Sequence, residues 1–301
     1  MEGTHRPEPN VPKEFAVPDG VTLTTGTGGL PLIRVDTGIS RAGIYLHGAH
    51  VVDFQKAGDA PLLFMSARSR FAAGEPIRGG VPVCFPWFGA RGADGTHGFA
   101  RTVEWKWIGA RAVPPGVALG FRLPALTAAW NSPASETELW VTITDRLAME
   151  LTTTNRSDRA FEFENCLHTY FAVGDIDRIS LAGLNETAFL DFARGANGAR
   201  RPGSAEPLKI TEETNRVYPD TMGAVEIRDE SLRRTVRVEK SNSRSTVVWN
   251  PWTTQKMPDD FDPAEYRRMI CVESGNVKEN RLSLLPGQST CLGLKLSTVA
   301  G

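Results

Sequence analysis

The sequence predicts an all-β protein, and three observations support this fold class. Apolar and polar residues alternate over short runs along most of the chain, which is typical of half-buried strands. The 29 glycines and 20 prolines indicate many turns between these runs. Apolar residues at helical spacing are almost absent. Together these features predict a sandwich or barrel of strands with few short helices.

The alternating runs define the predicted strands in chain order. The runs at 139–144 and 149–153 are separated by Asp145 and Arg146, which predicts a hairpin. In the run at 161–168, His168 shares its face with the other polar side chains. The remaining predicted strands are 51–54, 103–108, 117–123, 235–239, 246–249, 269–273 and 291–296.

One segment carries the signals of a helix start. Asp262 is a predicted N-cap, Pro263 suits the first helical position and Glu265 the third. The strand that ends at Glu273 follows closely, so this helix can only be short. The neighbouring acidic residues lack the spacing of a calcium loop, and we expect the group of Asp259, Asp260 and Asp262 to be a solvated loop and helix cap.

Composition and charge exclude several classes of protein. The 34 basic and 35 acidic side chains give a net charge of −1, which excludes a generally basic nucleic-acid binder. No stretch approaches the ~18 apolar residues that span a bilayer, and the polar N-terminus lacks the features of a signal peptide. The four cysteines form no C-x-x-C pair, which is typical of reduced thiols. We therefore expect a cytoplasmic protein that binds neither nucleic acid nor membrane.

No linker or internal repeat divides the chain. Residues 1–15 are predicted to form a loose N-terminal tail. Residues 16–299 are predicted to form a single domain, because β-sandwiches often reach ~250 residues as one unit.

Histidine is scarce, which makes each one a candidate for chemistry. His47 and His50 could form a metal pair, but no third ligand lies nearby in sequence, which favours a turn at the end of a strand. His97 follows the glycine-rich loop at 89–95, and His168 ends a strand. From the residues alone, hydrogen-bonded structural histidines are the better interpretation.

Two further features point to a binding site. Arg78 precedes two glycines that would let the backbone approach a ligand closely. The aromatic residues that follow, Phe85, Trp87 and Phe88, fit either the apolar side of a sugar ring or a rigid core loop. Glu273 ends an otherwise apolar strand, where a carboxylate must be hydrogen-bonded, charge-paired or functional. A general base with a raised pKa is one use of such a site.

Seven motifs, in this order along residues 40–295, resemble those of the D-hexose-6-phosphate mutarotases. These glucose-6-phosphate 1-epimerases are a branch of the aldose 1-epimerase superfamily. The motifs are Arg-Gly-Gly at 78–80, Phe-Pro-Trp-Phe-Gly at 85–89, His-Gly-Phe-Ala-Arg at 97–101, Leu-His-Thr-Tyr-Phe at 167–171, Tyr-Pro-Asp at 218–220, Trp-Asn-Pro-Trp at 249–252 and Val-Glu-Ser-Gly-Asn at 272–276.

The resemblance implies a fold, a site and the absence of a cofactor. The fold is the galactose-mutarotase-like one, a large antiparallel β supersandwich with its site on a concave sheet face. The implied catalytic residues are His168 and Glu273, and neither a metal nor a cofactor takes part. Thr96 departs from the glutamine that is frequent in the family, which puts the choice of hexose in doubt. The implied substrate-binding residues are Arg78, His97, Arg101 and Asp220.

The predicted function is therefore that of a cofactor-free mutarotase of hexose 6-phosphates, chiefly glucose 6-phosphate, which we expect to be a monomer. In this hypothesis Glu273 is the base and His168 the acid of ring opening and reclosure, and the two arginines bind the phosphate. The alternatives are a mutarotase for neutral aldoses and a non-catalytic sugar-phosphate-binding protein. A glycoside hydrolase using Glu164 and Glu273 is disfavoured, because no paired-carboxylate motif is evident.

Overall fold

The computed structural model describes residues 14–125 and 134–300, and strands dominate both ranges. The strands are β1 (Val21–Thr25), β2 (Pro31–Asp36), β3 (Ser40–Tyr45), β4 (His50–Lys56), β5 (Val83–Cys84), β6 (Lys106–Val113), β7 (Gly116–Arg122), β8 (Ser135–Ile143), β9 (Leu147–Asn155), β10 (Phe161–Phe163), β11 (Asn165–Leu167), β12 (Tyr170–Ala172), β13 (Ile179–Ala182), β14 (Phe189–Asp191), β15 (Ala199–Arg201), β16 (Thr214–Pro219), β17 (Val225–Asp229), β18 (Arg234–Ser241), β19 (Ser245–Asn250), β20 (Met269–Asn276), β21 (Leu282–Leu284) and β22 (Ser289–Ala300).

The helices within the described ranges are short 3-10 segments. They are Thr27–Gly29, Gly92–Asp94, Ala100–Thr102, Ile176–Arg178, Ala193–Gly195, Pro263–Arg268 and Lys278–Asn280.

Two eight-stranded antiparallel sheets form the body of the protein. The first, which we call the front sheet, has the order β15-β14-β16-β19-β20-β11-β5, with β12 also paired to β20. The second, the back sheet, has the order β13-β17-β18-β22-β9-β8-β7-β6. Strands β1 to β4 form a separate four-stranded sheet, and β10 pairs with β21.

The hydrophobic core joins the two large sheets. Val248 and Val272 of the front sheet and Leu151, Val236 and Leu292 of the back sheet belong to one cluster of buried apolar side chains. A side chain in a strand alternates between the two faces of its sheet. The next residues along the front strands therefore point away from the core, towards the other face of the front sheet. The predicted all-β sandwich is confirmed.

The observed strands differ from the predicted ones at several positions. The run at 161–168 is split at Glu164, whose carboxylate binds backbone N–H groups of two other segments. The strand expected from residue 103 begins only at Lys106, because Trp105 donates its indole N–H to the carbonyl of Ala100 and fixes a tight loop there. Strand β20 continues beyond Glu273 to Asn276.

The predicted helix start is confirmed. Asp262 caps the segment Pro263–Arg268, and its Oδ1 accepts a hydrogen bond from the backbone N–H of Ala264 at 3.0 Å. Glu265 lies in the first turn, where a negative charge is favourable.

The predicted tail falls mostly on residues 1–13, which lie outside the described residues. Phe15 contacts Trp107, with ring centroids 5.1 Å apart. In the part of the chain that the structure describes, no helix is long and apolar enough to cross a membrane.

Lys240 on β18 has a half-buried amine without an acidic partner among the described residues. Its Nζ donates hydrogen bonds to Thr221 Oγ1, Thr246 Oγ1 and the carbonyl of Ser245. Burial lowers the pKa of Lys240 to about 7. The folded protein therefore binds fewer protons than the unfolded chain between about pH 7 and the ordinary lysine pKa, ~10.4.

We predict that Lys240 makes stability rise with pH in this window. We compare the free energies of unfolding of the wild type and of Lys240→Met. Their difference, wild type minus variant, should increase from pH 7 to pH 10, by at most about 1.4 kcal/mol per pH unit. Denaturant unfolding at a series of pH values measures this difference. The exposed Lys209 supplies a control, and Lys209→Met should leave the slope unchanged. A constant difference between wild type and Lys240→Met would contradict the assignment.

Candidate active site

One face of the front sheet forms the floor of a cavity of about 840 Å³. Val217, Val247 and Glu273 stand side by side on β16, β19 and β20, because their strands pair in that register. The loop at 88–102 and the segment at 255–261 contribute the walls. These walls bury side chains that an open sheet face would leave in water, and Glu273 is only 1% exposed.

His168 faces Glu273 across the neighbouring strands. Leu167, the last residue of β11, pairs with Ser274 of β20, so the next residue along is opposite Glu273. The distance from His168 Nε2 to Glu273 Oε1 is 3.3 Å. The two predicted catalytic residues, which lie far apart in the sequence, are therefore in contact on the cavity floor.

Burial drives both groups of this pair towards their neutral forms. It raises the pKa of Glu273 well above its usual value, while the thiol of Cys166, 3.6 Å from Oε2, has a smaller opposing effect. Burial lowers the pKa of His168 to about 3, and the charge of Arg101 adds to this effect. Both shifts favour the neutral carboxyl group and the neutral imidazole on the two sides of this 3.3 Å contact.

His97 presents a hydrogen-bond donor to the cavity. Its backbone has a φ of 66°, in the left-handed region, and its Nδ1 accepts a hydrogen bond from the backbone N–H of Gly89 at 3.2 Å. Burial lowers the pKa of His97 well below its usual value, so the ring is neutral and its proton lies on Nε2. The ring centroid is 5.3 Å from that of His168.

Both predicted arginines line the cavity, in different electrostatic settings. Arg78 Nε is 3.0 Å from Oδ2 of Asp260, which is 5% exposed. Arg101 is 8% exposed and donates from Nη2 to the carbonyl of Thr96 at 2.8 Å, whereas its Nε has no hydrogen-bond partner among the described residues. The expectation that Asp260 lies in a solvated loop was wrong, because its carboxylate is buried against Arg78.

The structure does not place Asp220 at the cavity, contrary to the prediction. Asp220 follows the end of β16 with a φ of 55°. Its side chain is exposed and paired with Arg244. Instead, β16 contributes Asn215 and Val217 to the cavity.

His47 and His50 hold backbone segments in place, as the turn interpretation predicts. The Nε2 atom of His47 donates to the carbonyl of Glu75 at 2.7 Å, and that of His50 to the carbonyl of Gly79 at 2.8 Å. The second bond supports the segment that carries Arg78.

The three aromatic residues of the loop have different roles. Phe85 is buried in the core and Trp87 packs edge-on against Phe99. Phe88 lines the cavity and contacts His97, with centroids 4.7 Å apart. Only one of the three is therefore available to a ligand at this site.

Several cavity residues were not identified from the sequence. The alternation of strand 246–249 could have placed Trp249 on the same face as Val247. For a cavity residue that lies in a loop, no local sequence pattern shows that it lines the cavity. The residues missed include Phe192, Asn215, Gln255 and Lys278, and Trp249 was noted only as part of a motif.

His168, Cys271 and Glu273 could together hold a metal ion. Their ligand atoms all lie within 4.8 Å of one another and all three residues are buried. The absence of a metal from the chemistry stays a prediction.

Glu164 joins the wall at 88–102 to a further wall of the cavity, the segment that carries Lys278. One carboxylate oxygen accepts the backbone N–H of Phe88 at 3.0 Å, and the other accepts that of Lys278 at 2.6 Å. Charge-assisted bonds of this kind are stronger than neutral ones. Glu164 is therefore a positioning residue for both walls.

A family profile and similar proteins of known sequence point to the same family for this chain. The sequence profile of the Aldose 1-epimerase family matches residues 31–297. A protein of Cenchrus ciliaris, provisionally named a glucose-6-phosphate 1-epimerase, is 32% identical over 273 residues, which cover 86% of this chain and 81% of that protein. A protein of Escherichia coli (strain K12) with the same provisional name is 32% identical over 266 residues, or 84% of this chain and 85% of that protein.

Solved structures share the fold. The crystal structure of YeaD from Salmonella typhimurium, provisionally named a mutarotase, superposes with a TM-score of 0.87 at 25% identity, covering 98% of this chain and 97% of that one. A galactose mutarotase-like protein from Clostridium acetobutylicum superposes with a TM-score of 0.67 at 15% identity, covering 93% of this chain and 98% of that one. The galactose-mutarotase-like architecture is thus confirmed.

We predict that Glu164→Gln lowers the free energy of unfolding by about 1–3 kcal/mol, because one backbone N–H loses its acceptor and faces an NH₂ group instead. Denaturant unfolding measures the change. The neighbouring Glu162 is exposed and lies on β10, and Glu162→Gln should change stability by less than about 0.5 kcal/mol. Equal stabilities of the two variants would show that Glu164 does not hold the walls.

Proposed function

Since this chain belongs to the aldose 1-epimerase family, we propose that it interconverts the α and β anomers of hexose 6-phosphates, chiefly glucose 6-phosphate. The observation that carries the proposal is the buried contact between His168 and Glu273 on the floor of a cavity that is also lined by two arginines. The name shared by the two curated relatives supports the choice of substrate.

Anomer exchange needs an acid and a base at one carbon atom. The O1 hydroxyl must lose a proton while the ring oxygen O5 gains one, so that the C1–O5 bond breaks. Both oxygens are attached to C1, so one sugar can bridge two protein atoms that lie only 3.3 Å apart. Glu273 takes the proton from O1 and His168 donates one to O5. The aldehyde end then rotates, and reclosure with reversed transfers gives the other anomer.

The proton count of the pair fits this sequence of steps. Moving its single proton from Glu273 to His168 produces the carboxylate and the imidazolium that ring opening uses. Ring opening then returns the proton to Glu273 and leaves His168 neutral. Burial favours that neutral form, so ring opening returns the pair to the protonation state that its surroundings favour.

The charges around the cavity support a phosphorylated substrate over a neutral aldose. Arg78 and Arg101 can donate paired, charge-assisted hydrogen bonds to phosphate oxygens. The Nε atom of Arg101 is buried without a partner among the described residues, and an anionic ligand would satisfy it. His97 offers its Nε2–H to a sugar hydroxyl.

We predict that Glu273→Gln and His168→Ala each lower kcat for glucose 6-phosphate by at least 100-fold, because each removes one proton-transfer group. NMR exchange spectroscopy of the two anomers measures the rate. Glutamine resembles the neutral carboxyl group in shape and charge, so Glu273→Gln should remain folded by circular dichroism.

The exposed Glu162 provides a matched control, and Glu162→Gln should retain wild-type exchange. Unchanged exchange in both site variants would contradict the mechanism. Binding of glucose 6-phosphate to the wild type without faster exchange would instead indicate a sugar-phosphate-binding protein. Equal efficiency on glucose and glucose 6-phosphate would indicate a mutarotase of neutral aldoses.

A further inference from the structure

We propose that Tyr170 is the positioning residue of His168: its ring stacks on the imidazole and takes the place of the hydrogen bond that usually orients a catalytic histidine. The same ring stabilises the imidazolium that ring opening requires. The inference rests on the proposed function, and it gives a role to a residue to which the family resemblance assigned none.

The strands place the two rings side by side. His168 and Tyr170 are two residues apart, and side chains with that spacing lie on the same face of a sheet. Tyr170 is the first residue of β12 and pairs with Cys271, two residues from Glu273 on β20. Both rings line the cavity. Their centroids are 4.8 Å apart and their planes differ by 11°, so they form an almost parallel stack.

Hydrogen bonding does not orient the second nitrogen of this imidazole. In sites that use a histidine as acid or base, a third group usually holds that nitrogen. The Nδ1 atom of His168 is buried and has no hydrogen-bond partner among the described residues. The carbonyl group of His168 itself is near enough to raise its pKa, but by less than burial lowers it. Aromatic contacts must therefore hold the ring.

Tyr170 is the neighbour that fixes the plane of the imidazole. The rings of His97 and Trp249 meet that of His168 almost at right angles, at 85° and 76°, with centroids 5.3 and 6.2 Å away. The contact with Glu273 fixes the direction of Nε2 only. Rotating the imidazole out of the stack would bring its edge against the face of Tyr170, so the stack keeps Nε2 aimed at Glu273.

The stack also favours the charged form of His168. Burial opposes that charge by lowering the pKa of His168 to about 3. An aromatic face within ~6 Å attracts a cation, and the centroid of Tyr170 is 4.8 Å from that of the imidazole. Burial raises the pKa of the Tyr170 hydroxyl group well above its usual value, so the ring stays neutral. A phenylalanine would supply the same face, whereas a leucine would supply none.

The test compares the full-length wild type with Tyr170→Phe, Tyr170→Leu and Phe64→Leu. We expect Tyr170→Leu to lower kcat for glucose 6-phosphate by about 10-fold, because the aromatic face beside the imidazolium is lost. Its KM should change less than about 3-fold, since a ring that acts on the imidazole stabilises the transition state and not the bound substrate. Tyr170→Phe should keep kcat within about 3-fold of the wild type, because the stack remains.

Phe64 provides the matched control for the loss of a buried ring. It belongs to the same apolar cluster as Tyr170, and the two are 8% and 7% exposed, but Phe64 does not line the cavity. Phe64→Leu should therefore retain the wild-type kcat. An equal loss of kcat in Phe64→Leu would show a general packing effect and overturn the proposal. An equal loss in Tyr170→Phe would assign the effect to the hydroxyl group, and wild-type kcat in Tyr170→Leu would show that the stack has no effect; either result also overturns it.

Nitrogen-15 NMR of histidine-labelled protein supplies a readout that does not depend on turnover. It reports which ring nitrogen carries the proton, and the signals of His168 are those missing from His168→Ala. We expect a single tautomer of His168 in the wild type and in Tyr170→Phe, and averaged signals in Tyr170→Leu. Unchanged signals in Tyr170→Leu would contradict the positioning role. A wild type that shows the single tautomer, lost in Tyr170→Leu, but does not accelerate anomer exchange would contradict the proposed function and leave the positioning role supported.

Discussion

The burial of the Glu273 carboxyl group against His168 is the constraint on which the rest of the site depends. A carboxylate in the middle of an apolar sheet face is costly to charge. The neighbouring imidazole makes the position tolerable, because the two groups can share one proton. In the proposed function the same contact also serves the chemistry, since moving that proton creates an acid and a base at adjacent atoms.

The architecture keeps this contact dry and fixed. Strands on both sides of β20 hold Glu273 in register with apolar neighbours, while loops close over the face that carries it. Glu164 links two of those walls through backbone hydrogen bonds. A site built in this way needs little reorganisation when charge develops on the reacting oxygen atoms. Cations around the cavity, Arg78 and Arg101 among them, favour an anionic ligand without being in the acid/base pair.

The sequence predicted those features of the structure that depend on the local pattern of apolar and polar residues. Alternation placed His168 and Cys166 on one face of their strand, and the cap at Asp262 predicted the short helix that follows. The apolar strand around Glu273 marked its carboxyl group as unusual, and the resemblance to a family then implied a catalytic role for it. Neither local periodicity nor the family resemblance predicts contacts between residues far apart in the sequence. Nothing in the sequence near Asp260 shows that it is buried against Arg78, and nothing near Lys278 shows that it lies close to Phe88. Asp220 was misplaced because a motif carries no information on where its turn directs the side chain.

The protonation state of Glu273 in the free enzyme decides whether the contact with His168 joins two neutral groups or an ion pair. Infrared difference spectra of the wild type against Glu273→Gln isolate the signal of this one group. We expect a protonated carboxyl band near neutral pH in the ligand-free protein, because burial raises the pKa of Glu273 well above its usual value. A carboxylate band at the same pH would show an ion pair with His168 and would rule out the neutral pair.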